Sequence, residues 1–467
     1  MSIAEEHRGA LDTAFEHARS FLEQVADRPV APPPDLDALR RSLGGSLPDH
    51  SSDPVTVIEE LAIAGDAGIV ASAGPRYFGF GVGGARPAAL AADWLTATWD
   101  QNAVLHVLSP VAAVIEEVTA AWLRDLLGLP LSVSTGFVTG GQMANVAALA
   151  AARHQVLART GWDVEASGLT GAPRIRLVVG EQRHNTIDRA TRLLGLGTAS
   201  LVTVPADDQG RLRADLLPEV LAGERRPTIV CAQAGEVSTG AFDEFDAICD
   251  AAHDVDAWVH VDGAFGLWAA ASPRLRYLTK GVERADSWAT DAHKWLNVPY
   301  DCGMIFTAHP DAHSTAFSMR APYLLHGDAG AREPTDWTPE LSRRPRAIPV
   351  YAALRSLGRS GVAELVERCC ALAKRFADAL RAAPGIEVCN DVVLNQVLVR
   401  FVGRDDDDAA ADERTQRTIE AVQRSSVCWM GGTTWKGRAT MRISVSNWST
   451  TEADVDRAVD VILAATY

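Results

Sequence analysis

Amine chemistry has few candidates in this 467-residue chain, because among its 44 Lys and Arg residues lysine occurs only at Lys280, Lys294, Lys374 and Lys436. Only Lys294 closely follows an apolar run, four residues after Ser287–Thr290 and beside His293. Partial burial there disfavours the ammonium form and suits a lysine to attack a carbonyl carbon. A surface lysine at a strand end is the competing reading. Thirty-two residues upstream, the run Trp258-Val259-His260-Val261-Asp262 ends in a carboxylate followed by Gly263 and Ala264. A buried carboxylate is costly without a cationic partner, and a cap on the next helix is its alternative use. Gly140, Gly141 and Gln142 stand between an apolar strand and an Ala-rich helix, where free backbone N–H groups can cradle a phosphate. A plain tight turn fits the same residues. His184 sits where the apolar run at 176–179 gives way to a helical pattern, so it could stack on a flat ring and exchange a proton, or simply cap the helix. Val237 and Ser238 follow another strand end.

These groups need a scaffold that brings strand ends together. From about residue 130, short β-branched runs (137–139, 175–179, 201–204, 228–232, 258–262, 287–290 and 303–307) alternate with helical stretches, predicting an α/β fold with a mostly parallel seven-stranded sheet. In such sheets ligands sit beyond the carboxyl ends of the strands, where all of these candidates fall. Residues 1–72 read as helices broken by prolines at 28–34, too few to make a core of their own. Residues 347–467 read as two long helical patterns followed by a small α+β unit. Its last helix is expected to open with a Ser449/Glu452 capping box, and the acidic run 405–408 to be a solvated loop. The expected division is therefore a helical dimerisation segment 1–72, a large cofactor-binding domain 73–346 and a small C-terminal domain 347–467.

A lysine to bond an aldehyde, an aspartate to pair with a protonated ring nitrogen and a glycine turn for a phosphate together describe the needs of pyridoxal 5'-phosphate. In this order and spacing, with His-Lys-Trp at 293–295 and His-Val-Asp at 260–262, residues 70–467 resemble the group II pyridoxal-phosphate-dependent amino acid decarboxylases, among them the aromatic-L-amino-acid and glutamate decarboxylases. The resemblance implies fold type I of the pyridoxal-phosphate-dependent transferases and a homodimer with shared active sites, whose partner the N-terminal segment wraps. It implies that Lys294 carries the cofactor and Asp262 meets its ring nitrogen. Ala264 and His184 would pack on the two ring faces, and Gly141, Gln142 and His293 would take the phosphate. It places Tyr77, Phe78, Phe80, Ser109 and Pro110 near the substrate side chain, and matches 340–346 to the segment closing the large domain. Arg442, on a strand of the small domain, is a candidate for the substrate carboxylate. The expected reaction is decarboxylation of an L-amino acid to its amine, with an aromatic substrate favoured by Tyr77, Phe78 and Phe80. Core packing would use the same aromatics.

Two departures stand out. Asp291 occupies a position where many relatives have asparagine. The stretch 326–336, matching the mobile loop that supplies a proton-donating tyrosine in aromatic decarboxylases, is shorter and contains no tyrosine, leaving Tyr323, His326 or His184 for that role. An oxygen-using aldehyde synthase, an aldol-type lyase or an aminotransferase on the same cofactor is the alternative outcome, and a cofactor-binding protein without turnover is the alternative class.

Composition excludes other classes. A net charge of −16 without a basic cluster argues against nucleic acid and anionic membranes. Seven scattered cysteines show no metal-ligand spacing, and Pro310 makes a loop the expected conformation of the His309/His313 pair, so no metal is expected. Gly79, Gly81 and Gly83 lack the strand, helix and distal acid of a dinucleotide site. The acidic N-terminus does not resemble a targeting peptide, and a cytoplasmic location is expected.

Overall fold

The computed structural model describes residues 3–223, 225–319 and 332–466. Three helices open it, α1 (Ile3–Gln24), α2 (Leu36–Leu43) and α3 (Pro54–Asp66), and none of them has a fully buried residue. Asp35 and Asp53 cap α2 and α3 by accepting first-turn backbone N–H groups. Helices α4 (Pro87–Trp99) and α5 (Pro110–Leu126) each begin on proline, whose missing N–H costs nothing there.

Strands and helices then alternate as the sequence predicts. They are β1 (Ser134–Val138), α6 (Gly141–Ala158), α7 (Val164–Ser167), β2 (Arg176–Gly180), α8 (Asn185–Leu193), β3 (Leu201–Val204), α9 (Leu217–Leu221), β4 (Thr228–Gln233), α10 (Phe245–His253), β5 (Trp258–Asp262), β6 (Ser287–Asp291), β7 (Gly303–Thr307) and α11 (Pro310–Phe317). The sheet order is β1-β7-β6-β5-β4-β2-β3, with β7 antiparallel to both neighbours and the other pairings parallel. Strands β1, β4, β5, β6 and β7 are buried at every position, which is why they read as short apolar runs rather than alternating ones.

Helix α12 (Ala347–Arg381) is two helices joined at Gly358, whose φ of 61° only glycine adopts without strain. Strands β8 (Ile386–Val388) and β9 (Gln396–Phe401), helix α13 (Asp408–Ser425), the hairpin β10 (Gly431–Trp435) and β11 (Arg438–Ser444), and α14 (Glu452–Thr466) complete the chain. The second sheet is antiparallel, in the order β10-β11-β9-β8.

Two local expectations are corrected and one is sharpened. The box opening α14 is formed by Thr451 and Asp454, with Thr451 N donating to Asp454 Oδ2 at 2.9 Å and Asp454 N to Thr451 Oγ1 at 3.3 Å; Ser449 instead donates to Asn447. The acidic run is an exposed turn between β9 and α13, as expected, but it is tied down rather than free, since Asp407 caps α13, Asp406 binds Arg414, and Asp408 meets the buried Arg400 at 3.0 Å. His309 and His313 belong to a helix start, where Pro310 is tolerated at the first position. His309 pairs with Asp286 at 2.7 Å and His313 with Ser134 at 2.9 Å, so packing uses both.

The segment at 340–346 is anchored by Arg343, which meets Glu116 of α5 at 2.7 Å with both side chains at 1% exposure or less. Arg332 stands on the other side of Glu116 at 3.8 Å, so the three form a buried charge cluster. Removing Arg343 leaves Glu116 with only that longer contact, and Arg343→Ala is therefore expected to lower stability by about 3–5 kcal/mol, whereas the triple replacement Glu116→Leu/Arg332→Met/Arg343→Met should lower it by much less. Urea unfolding of the wild type and both variants checks this, and equal losses in the single and triple variants would contradict it.

Candidate active site

One cavity, of ≈ 440 Å³ empty volume, collects residues from four strand ends and the start of α6. It is lined by Gly141, Gln142, Asn145, His184, Thr186, Gln233, Gly235, Val237, Asp262, Ala264, Phe265, Asp291 and Lys294. Larger cavities elsewhere, including a mostly apolar one between α1 and α4, hold no such set of chemical groups.

The geometry follows from the sheet. Asp262 is the last residue of β5 and Asp291 the last of β6, so both carboxylates leave the sheet at its carboxyl edge. Asp262 is 6% exposed. Its Oδ2 accepts from Asn145 Nδ2 at 3.0 Å and its Oδ1 from the Ala264 N–H at 3.2 Å, while Thr186 Oγ1, 3.4 Å from Oδ2, gives its single proton to His184 Nδ1 at 2.9 Å. Lys294 Nζ lies 2.9 Å from Asp291 Oδ2. Asp291 Oδ1 accepts the Gly141 N–H at 2.5 Å and lies 3.4 Å from His293 Nε2. His293 Nδ1 accepts the Cys302 N–H at 3.1 Å, which leaves the ring proton on Nε2, facing Asp291. Burial lowers the His293 pKa, and the ring of Tyr300 lies 4.4 Å away.

His184 caps α8. Its Nδ1 accepts the Thr186 N–H at 3.3 Å, so the proton resides on Nε2, and burial lowers its pKa despite the opposing charge of Asp262. Gln233 fixes the loop around it, accepting the His184 N–H at 3.1 Å and donating to Gln182 O at 3.1 Å. Gly235, at φ 93°, lets the chain turn against Phe265, where an added Cβ would meet the ring at 3.1 Å. At the start of α6, an added Cβ on Gly140 would come within 2.9 Å of His293, and one on Gly141 within 2.8 Å of Asp291.

The cavity thus gathers Gly141, Gln142, His184, Val237, Asp262, Ala264, Asp291 and Lys294. Gly140 and His293 stand directly behind it. Ser238 is not among the lining residues, and its backbone N–H donates to the buried Glu236 at 2.7 Å. Asn145, Thr186, Gln233, Gly235 and Phe265 were not singled out from the sequence. A lone asparagine within the apolar helix α6 was the one available signal, since a buried amide needs partners.

The substrate-side candidates divide. Tyr77 stacks on Trp429 with ring centres 5.0 Å apart, and Phe80 lies on the same indole at 5.3 Å, so the 429–438 hairpin contributes an aromatic platform. Phe78 faces the opposite way, buried against Phe376, and serves the core. Ser109 caps α5, its Oγ accepting the Ala112 N–H at 3.3 Å. Arg442 projects from β11 into largely buried space with Glu236 as its opposing charge, and burial lowers its pKa. Tyr323, His326 and most of the tyrosine-free stretch lie outside the described residues. Among those described, no group of His, Cys, Asp and Glu could hold a metal ion.

Pyridoxal phosphate fits this cavity on its own terms. A lysine amine, a carboxylate held by two neutral donors, an imidazole and a helix start where a Cβ at 140 or 141 would crowd His293 or Asp291 match its aldehyde, ring nitrogen, ring face and phosphate. Comparison with known proteins agrees. The model of the pyridoxal-dependent decarboxylase conserved domain matches residues 37–402. An aromatic-L-amino-acid decarboxylase of Bacillus atrophaeus is 26% identical over 95% of this chain and 91% of its own, and a phenylacetaldehyde synthase of Arabidopsis thaliana 24% identical over 95% and 92%. The crystal structure of Oryza sativa TDC with PLP and tryptamine superposes with a TM-score of 0.91 at 26% identity, covering 99% of this chain and 98% of that one. The chain belongs to the pyridoxal-dependent decarboxylase family, as a carboxy-lyase whose cofactor is pyridoxal phosphate.

Proposed function

We propose that the protein decarboxylates an aromatic L-amino acid to the corresponding amine. The observation carrying this reading is the pairing of Lys294 and Asp262 across one cavity, with the Tyr77/Phe80/Trp429 platform contributed by the neighbouring segments. Pyridoxal phosphate supplies an aldehyde that takes up the substrate amine and a protonated ring that draws in the electron pair left when carbon dioxide departs. The protein's residues do the rest. Lys294 holds the cofactor and reclaims it when product leaves. Asp262 keeps the ring nitrogen protonated, while Ala264 and His184 confine the ring from either side. Gly140, Gly141, Gln142 and His293 receive the phosphate. This requires Asp291, which lies on the Gly141 N–H, to share or yield that contact. Val237 shapes the wall beyond β4. Arg442 offers a guanidinium to a substrate carboxylate. His184 Nε2–H, neutral because of burial, is one source of the proton returned to carbon, with Tyr323 and His326 as the others.

The aldehyde synthase named among the relatives supports one second reading, in which the same intermediate carbon is oxidised by molecular oxygen. A panel of L-amino acids followed by mass spectrometry separates the two. Amines from aromatic substrates support decarboxylation, and aldehydes in their place contradict it.

The assembly proposed is a homodimer. Leu11, Phe15 and Leu22 of α1, Trp94, Leu95 and Trp99 of α4, and Val111 and Val114 of α5 leave a large apolar area exposed, as a segment 1–72 built to wrap a partner would. Domains 73–346 and 347–467 would then meet at the site. No helix among the described residues is long and apolar enough to cross a membrane, and the cytoplasm is the proposed location.

A further inference from the structure

Behind Asp262 runs a line of hydrogen bonds whose polarity is dictated by the carboxylate at its head. Trp258, His260 and Asp262 alternate along β5 and so share one face, against which α6 places Asn145. His260 stands opposite Ser287 of β6 in the sheet register. Trp258 Nε1 lies 2.8 Å from Ser287 Oγ, Ser287 Oγ 2.9 Å from His260 Nδ1, His260 Nε2 2.9 Å from Asn145 Oδ1, and Asn145 Nδ2 3.0 Å from Asp262 Oδ2. Trp258, His260 and Ser287 are fully buried and Asn145 is 1% exposed.

An ionised carboxylate can only accept, so Asn145 presents its N–H₂ to Asp262 and turns Oδ1 toward His260. The imidazole proton is therefore on Nε2, donated to Asn145 Oδ1, and Nδ1 accepts from the Ser287 hydroxyl, whose lone pairs take the Trp258 indole N–H. Burial holds the His260 pKa down to about 4, so near neutral pH the ring keeps one donor and one acceptor, as the line requires. Each link points its hydrogen toward the carboxylate. If His260 were absent, Asn145 could flip and turn its carbonyl oxygen on Asp262, replacing an attraction by a repulsion.

We infer that His260 is a positioning residue that, through Asn145, fixes the Asp262 carboxylate for the cofactor's ring nitrogen, with the Ser287 hydroxyl holding it in the tautomer this needs. This rests on the pairing of Asp262 with that nitrogen proposed above.

The test separates the two ideas. Apoprotein is titrated with pyridoxal phosphate and with its carbocyclic analogue, in which C–H replaces the ring nitrogen. The bond to Lys294 and the phosphate contacts are common to both ligands and cancel in the ratio of dissociation constants. Wild type should favour pyridoxal phosphate. His260→Leu should lower that preference about tenfold, the worth of a lost hydrogen bond to a charged group. His260→Gln, whose amide can still donate to Asn145, should retain most of it. Ser287→Ala, which deletes only one hydroxyl, should lower it about threefold through the lost tautomer control, and it decides the matter should His260→Leu not fold. A wild-type ratio near one overturns the pairing and the inference with it. A strong wild-type preference unchanged by His260→Leu, or by Ser287→Ala where only that variant folds, overturns the inference alone.

Discussion

Lys294→Ala is expected to remain folded and to lose turnover by on the order of 10⁴-fold or more. The lysine is at the cavity wall rather than in the core, with a quarter of its side chain exposed, so truncation leaves space that water can fill. Its loss removes the amine that holds the cofactor and expels product. It also leaves the Asp291 carboxylate without its cation, directly beside the expected phosphate. The visible absorbance that the lysine-bound cofactor gives should vanish, and cofactor should wash out on dialysis. Neither Lys280, Lys374 nor Lys436 can substitute. Lys280 pairs with Asp246 at 3.3 Å and Lys436 with Asp208 at 2.7 Å, both away from the cavity, and Lys374 borders a cleft beside α14. A variant that keeps the absorbance and the turnover would show that another group carries the cofactor.

Asp262→Asn should lower kcat by about 100- to 1,000-fold, the rate equivalent of a buried charge pair reduced to a neutral contact. The shape is conserved, but the new amide must place an N–H₂ toward Asn145 Nδ2 or toward the ring nitrogen, and either choice opposes a donor with a donor. KM should change far less than kcat, because the ring's capacity to accept electrons matters in the transition state more than in substrate binding. Steady-state kinetics with the variant saturated in cofactor measures this, and an unchanged kcat would contradict the role assigned to Asp262.

Much of the scaffold was legible because burial on both faces imprints a simple pattern. All seven runs between 137 and 307 are strands, three at the bounds read, three with an end one residue further on, and the first opening three residues earlier at Ser134. Glycine turn, His184, Asp262 and Lys294 could be found because each is a chemically distinctive group immediately after such a run. What was not legible depended on direction. Tyr77 and Phe78 are adjacent in an extended segment, so their side chains point to opposite sides, and only one could face Trp429. Ser109 precedes Pro110, the signature of a helix start, and the structure uses it as one. Asn145, Thr186 and Gln233 act through partners far away in the chain, at separations that no local pattern encodes. The ion pairs that tie down the exposed acidic run at 405–408 were not legible, because Arg400 and Arg414, which neutralise two of its members, lie across a strand end and a helical turn.

The most direct test of the proposed chemistry is the stoichiometry of one turnover series under air, with the best aromatic amino acid labelled at its carboxyl carbon. Carbon dioxide and amine should form in equal amounts, with no oxygen consumed and no ammonia or hydrogen peroxide released. Oxygen uptake matching the carbon dioxide released, with aldehyde in place of amine, would contradict the account.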